Sequence, residues 1–260
     1  DEHYVLPVSP IAFDLDNIPD FALGRAPATD LFAFDATQHG ALKLVSRTGR
    51  ATVKVDLGAF ACVFHMGPCW IDEQGKLVAH VLLFERYGSL GNAMGFDVRS
   101  QAFDPIPWSR GNGGPTLRRI VADAATGELL EMARLSDLKL DMPTFHPLRD
   151  GLPNRAVFGT AGVRPDGWFP FNALAKYDLI ANKEEVWQTN DDSVVSEPYY
   201  VPRSDADDGE GWVLSLVTDT ARDATELLVF DAARFDDGPV WTATVGELWP
   251  WNVHTTFVPE

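Results

Sequence analysis

What most constrains the fold of this chain is a unit that keeps returning: a short apolar strand, a polar turn and a second strand. It runs from Leu42 to Val55 around Arg47-Thr48-Gly49, and from Leu117 to Met132 around Asp123 to Gly127. It returns from Leu174 to Trp187 around Asp178 to Lys183, and from Trp212 to Phe230 around Thr218 to Thr225. Gly, Asn and Asp in such turns supply the backbone freedom a tight reversal needs. Helical periodicity is nearly absent, so the expected class is all-β. Units that look alike yet carry loops of unequal length suit radial repetition of small sheets, a propeller. Two sheets packed face to face are the alternative on pattern alone. With 260 residues, 45% of them hydrophobic, one sizeable core is within reach, and a single domain over 1–260 is expected.

Between these units, Tyr4 to Val8 reads as an opening strand and Ile11 to Pro27 as an irregular connection. Leu31 to Phe34 and Ala41 to Val45 read as two strands around Asp35 to Gly40, and Gly88 to Pro115 and Asp141 to Pro170 as long loops. Arg110-Gly111-Asn112-Gly113-Gly114-Pro115 has no following Lys-Ser/Thr and opens no helix, so it reads as a turn and not as a phosphate cradle. Asp205 to Glu210 lacks the ligand ladder of a calcium loop and reads as a solvated hairpin tip.

The formal net charge of −17 argues against nucleic acid and anionic membrane surfaces as partners. Two cysteines, Cys62 and Cys69, make no disulfide framework, which suits a reducing or redox-indifferent compartment. No apolar run approaches the roughly 18 residues of a spanning helix. No secretion signal is visible, and a cytoplasmic or organellar location stays open between the two.

Six histidines offer candidate chemistry. His3, His39 and His146 read as surface residues, and His80 as a strand residue without a visible role. His65 lies in Ala61-Cys62-Val63-Phe64-His65-Met66, an apolar run that reads as a buried strand. Regular alternation sets His65 on the face opposite Cys62, which removes Cys62-x2-His65-x3-Cys69 as a metal spacing. A buried imidazole needs partners for both nitrogens: it is either a satisfied core histidine or a metal ligand. His254, in Trp251-Asn252-Val253-His254, poses the same choice. Glu197 and Asp141 are carboxylates inside apolar runs. Each is either a strand-end or turn carboxylate, or the acceptor that holds the imidazole N–H behind a metal.

Ser196-Glu197-Pro198-Tyr199-Tyr200-Val201-Pro202-Arg203 resembles a Gly-Glu-Pro-x-Phe-Val-Pro-Arg segment of the carotenoid cleavage oxygenases, the family that includes lignostilbene dioxygenases and the vertebrate retinoid isomerase. Gly211 to Val217 with Glu226 to Ala232 resembles the hairpin that follows it there. Leu117-Arg118-Arg119 with Asp123 to Gly127, and Ala175 to Leu179, are similar to two further strand pairs. The resemblance implies a seven-bladed β-propeller with an axial Fe(II) held by four histidines, three of them backed by carboxylates. His65 and His254 match the third and fourth ligands, Glu197 the carboxylate behind the fourth, and Asp141 the position behind the third, where the family usually has Glu. Pro68 stands where the family usually has Asn, and Thr255 where it usually has Gly.

The first two ligands would lie upstream, and His3 matches the position after the second ligand's motif. The chain is therefore expected to be roughly the second half of the propeller, inactive by itself. The implied activity is dioxygenase cleavage of a conjugated C=C bond in a carotenoid, apocarotenoid or stilbene, with a hydrophobic small molecule and O2 as partners and peripheral membrane contact through the missing part. The rival is a non-catalytic propeller used as a binding module, its histidines merely core.

Overall fold

The computed structural model describes residues 3–26, 28–35, 37–49, 52–84, 96–97, 102–103, 109, 113–165, 167–204 and 209–258. Among the described residues, four antiparallel sheets of three or more strands follow one another along the chain. The first pairs His3–Val8 with His39–Ser46, which pairs in turn with Val53–Ala59. The second runs in space as Cys62–Ile71, Lys76–Phe84, Thr116–Asp123 and Leu129–Arg134. The third is a meander of Lys139–Thr144, Ala156–Gly162, Ala173–Asp178 and Lys183–Gln188. In the fourth, Ser193–Val195 and Tyr199–Pro202 share Gly211–Asp219 as partner, followed by Ala224–Asp231 and Pro239–Glu247.

Each sheet buries its neighbour. Leu42, Leu44, Val55 and Leu57 of the first sheet pack on Leu77, Ala79, Val81 and Leu83 of the second. Leu82 and Leu117 of the second meet Leu140, Ala161 and Ala175 of the third. Phe158 and Leu174 of the third, with Phe171 from the connection between its middle strands, meet Val195, Val213, Val217 and Phe230 of the fourth. A sheet covered on both faces cannot show clean polar–apolar alternation, which is why Lys76–Phe84 reads as a continuous apolar run. Three cores between four consecutive sheets make a fan of propeller blades, not a two-sheet sandwich. The first strands of successive sheets meet, His3–Val8 against Cys62–Ile71 and Cys62–Ile71 against Lys139–Thr144, which puts them at the hub.

The expected hairpins are present, and one device closes several of them. Asp123, Asp178 and Asp219 end strands, and each carboxylate accepts two backbone N–H groups two and three residues on. Asp72 accepts the amides of Gln74 and Lys76, two and four residues on. Part of the acidic charge is thus turn chemistry.

Several expectations need correction. Ile11 to Pro27 is not simply irregular: Ile11–Phe13 is a strand, Leu15–Asn17 a 3-10 turn and Ile18–Ala22 a short helix with Pro19 in its first turn. Phe32–Phe34 pairs with Ile11–Phe13 and not with the strand that follows it. The stretch from Asp141 to Pro170 is not one loop, because Ala156–Gly162 is a central strand whose small residues, Gly159 and Gly162, leave room for backbone and for Trp168. His146 is fully buried, not superficial; its Nε2 faces the Ser204 carbonyl at 3.1 Å and its Nδ1 accepts from the Leu148 amide at 3.3 Å. Most of the loop from Gly88 to Pro115, with Arg110 to Asn112, and the tip from Asp205 to Asp208 lie outside the described residues. Among the described residues no helix is long and apolar enough to cross a membrane.

Candidate functional site

His65 sits near the start of the hub strand of the second sheet, and its orientation departs from regular alternation. Cys62 pairs with Phe84 and Val63 with Leu83, but His65 pairs with Leu82, so Phe64 is an extra residue. A β-bulge of this kind moves every later side chain to the other face. His65 therefore shares the face of Cys62, toward the third sheet, and the geometric reason for setting aside a Cys62–His65 spacing does not hold. Cys62 instead packs in the apolar core with Phe84 and Met142. The bulged Phe64 stays 44% exposed, its ring edge-on to His65 at 5.2 Å and to Phe84 at 6.2 Å.

Facing the third sheet brings His65 to Asp141, on that sheet's own hub strand. The His65 Nδ1–H donates to Asp141 Oδ1 at 2.6 Å. Oδ1 also accepts the Met142 amide at 2.9 Å, with Met142 in the left-handed region at φ 51°. Thr160 Oγ1 donates to the Asp141 carbonyl at 3.0 Å, anchoring the backbone beneath. Burial by itself pulls the His65 pKa down. The hydrogen bond to Asp141, its charge and the more distant charge of Glu197 outweigh that, and the net shift is upward.

His254 arrives from the opposite end of the chain, in the segment that follows the fourth sheet. Its ring centre lies 6.1 Å from that of His65, the planes nearly perpendicular at 84°. Its Nδ1 faces Glu197 Oε1 at 3.4 Å, a long contact, and the side chain is 68% exposed against 24% for His65. Glu197 lies in the break between Ser193–Val195 and Tyr199–Pro202, at the hub edge of the fourth sheet. Its Oε2 accepts the Thr255 amide at 2.7 Å, and its carbonyl accepts the Thr255 hydroxyl at 3.0 Å.

All four candidate residues thus stand at the hub, each turned toward its pair. With Nδ1 of both rings directed at a carboxylate, Nε2 of each is the nitrogen that carries the lone pair. Two imidazoles sharing one ion at about 2.1 Å per nitrogen hold their ring centres about 4.5–6.5 Å apart, depending on the ligand angle. The observed separation of 6.1 Å falls inside that range. Among the described residues no group of three or more His, Cys, Asp or Glu side chains is gathered for a metal. The ties from Thr255 to Glu197 were not anticipated from the sequence; the one hint was Thr255 itself, at a position where a Gly was expected.

The other histidines are elsewhere. His39 pairs with Asp56 on the surface at 2.8 Å. His80 is buried, with Nδ1 3.3 Å from the Pro68 carbonyl and its ring over Trp70, and desolvation holds its pKa down at about 4.

Comparison with known proteins gives a consistent picture. The family model described as "RPE65: Retinal pigment epithelial membrane protein" matches residues 1–259. Lignostilbene-α,β-dioxygenase isozyme III of Sphingomonas paucimobilis is 28% identical over 160 residues, 56% of this chain and 31% of the relative. The chloroplastic carotenoid cleavage dioxygenase 8 of Arabidopsis thaliana is 26% identical over 272 residues, 100% of this chain and 45% of the relative. A cobalt-substituted apocarotenoid oxygenase from Synechocystis superposes with a TM-score of 0.79 at 21% identity, covering 96% of this chain and 50% of that one. The chain spans half or less of the length of these relatives.

Proposed function

Since this chain belongs to the retinal pigment epithelial membrane protein (RPE65) family, we propose that His65 and His254 supply two nitrogen ligands of a catalytic Fe(II) in an oxygenase that splits a conjugated C=C bond into two carbonyl products. The observation that carries this reading is the meeting of two histidines from opposite ends of the chain, ring centres 6.1 Å apart, each with Nδ1 on a carboxylate. The buried histidines elsewhere, His80 and His146, are satisfied by backbone groups and not by carboxylates. A binding-module propeller gives no reason for two carboxylate-backed imidazoles to converge at its hub.

In this reading Asp141 and Glu197 fix the tautomer and the direction of each ring and raise its basicity. The ion, when bound, supplies the activation of O2. Imidazole ligation alone also suits zinc or copper, so iron rests on family membership and not on the ligand type. The remaining ligands come from outside the residues described. The exposed ring of Phe64, edge-on to His65, gives the site an apolar wall suited to a hydrophobic polyene or stilbene. The names of the relatives, a lignostilbene dioxygenase and a carotenoid cleavage dioxygenase, point to the same two substrate classes.

The test uses the protein at its full natural length, with iron per chain and O2-dependent cleavage measured on a carotenoid and stilbene panel. His65→Ala and His254→Ala should each abolish cleavage and empty the site of iron. Glu197→Gln should lower metal affinity about 10–100-fold. Full iron occupancy in both histidine variants would overturn the assignment.

A further inference from the structure

The segment that carries His254 lies outside the hydrogen-bonded ladder. Beyond Pro239–Glu247 no strand pairing holds the described chain through Val258. From Trp251 onward, its recorded polar ties run to one short stretch at the hub edge of the fourth sheet. Trp251 Nε1 donates to the Val195 carbonyl at 2.9 Å, and the Asn252 amide to Ser196 Oγ at 3.4 Å. Thr255 then makes two bonds to a single residue. Its amide donates to Glu197 Oε2 at 2.7 Å and its hydroxyl to the Glu197 carbonyl at 3.0 Å.

These two bonds close a ring through the backbone and side chain of both residues. One carboxylate oxygen is taken up by the amide, which leaves Oε1 as the oxygen turned to His254 Nδ1. The hydroxyl bond fixes the Glu197 main chain relative to the residue next to His254. At His65 the corresponding ties come from two residues, the Met142 amide on Asp141 Oδ1 and the Thr160 hydroxyl on the Asp141 carbonyl, and Asp141 itself lies on a paired strand, whereas at His254 both come from Thr255 alone. We propose that Thr255 is the positioning residue of the His254 half-site, holding Glu197 so that its free oxygen stays on the imidazole and the exposed ring keeps one direction. The proposal rests on the reading of His254 as a ligand.

The test uses Co(II) as the probe metal on the full-length, metal-stripped protein. Thr255→Val keeps the β-branched shape and the amide but removes the hydroxyl; Thr255→Ser restores the hydroxyl. Thr255→Val should weaken Co(II) binding about tenfold, with Thr255→Ser close to the parent. In the metal-free protein, the ¹⁵N shifts of His254 should report a proton held on Nδ1 in the parent and in Thr255→Ser. In Thr255→Val they should report a mixture of tautomers, a change that loss of packing alone would not produce.

Unchanged Co(II) affinity and an unchanged His254 tautomer in Thr255→Val, with His254→Ala still weakened, would overturn the role of Thr255 and leave the metal site standing. Parent-like Co(II) binding in His254→Ala would overturn the site, and Thr255's role with it.

Discussion

Asp141→Asn tests the more buried half of the site, and its effect should depend on pH in a defined direction. The parent bond joins an imidazole to a carboxylate at 2.6 Å, with Asp141 only 6% exposed. A hydrogen bond to a charged group contributes about 1.5–3 kcal/mol. A neutral amide oxygen can still accept from Nδ1–H, but at roughly half the strength. Asp141→Asn should therefore cost the metal-free protein about 1 kcal/mol. Asp141→Ala strands both the His65 N–H and the Met142 amide and should cost about 3 kcal/mol.

Because the folded-state pKa of His65 is raised, protonated imidazole is favoured by folding. That stabilisation is complete below the unfolded histidine value of about 6.5 and disappears as pH rises through the higher folded value. The difference between parent and Asp141→Asn should accordingly be larger at pH 6 than at pH 9. Urea midpoints of both proteins, metal-stripped, at the two pH values measure it. An equal loss at both, or a larger loss at pH 9, would refute the argument that Asp141 acts on His65 through charge.

His80 predicts the opposite pH trend. With its pKa lowered to about 4, stability should fall as pH drops from about 6.5 toward 4, by up to about 3 kcal/mol, and His80→Phe should flatten that limb of a urea-midpoint profile. The Cys69 thiol is pushed up to about 12 by burial and by the charge of Asp150, and Cys62 is also raised by burial; neither should react with iodoacetamide at pH 8 until the chain is unfolded. At Gly40 an added Cβ would stand 1.7 Å from the Ala61 carbonyl oxygen, where the first two sheets abut, so Gly40→Ala should lower the urea midpoint by the equivalent of more than about 2 kcal/mol.

The fold was largely legible because its signals are local. Turn residues such as Asp123 and Gly127 act on their own few neighbours, so hairpin after hairpin could be read directly. Burial on both faces suits the apolar run of Lys76–Phe84, but Ala173–Asp178 is buried throughout although it carries Lys176 and Asp178, which its sequence does not announce. The errors fell where a partner strand decides. Phe32–Phe34 carries no mark of pairing with Ile11–Phe13 and not with His39–Ser46, and Ala156–Gly162 is too rich in small residues to announce a central strand. His146, flanked by Phe145 and Pro147, gave no hint that it would be buried under Ser204.

At the site, the sequence by itself determined which side chains were candidates: His65, His254, Glu197 and Asp141, picked out by residue type, apolar surroundings and family resemblance. It could not determine direction. Whether His65 faces the first sheet or the third depends on one extra residue, Phe64, in the pairing with Lys76–Phe84, and a bulge belongs to two strands at once. The meeting of His65 with His254 is likewise a property of how the sheets fan about the hub, which no segment shorter than the whole arrangement encodes. Only the tertiary structure decided these points, because hydrogen-bond register and ring-to-ring distance are set by groups far apart in the chain, whereas turn chemistry and hydrophobic patterning are set by groups a few residues apart.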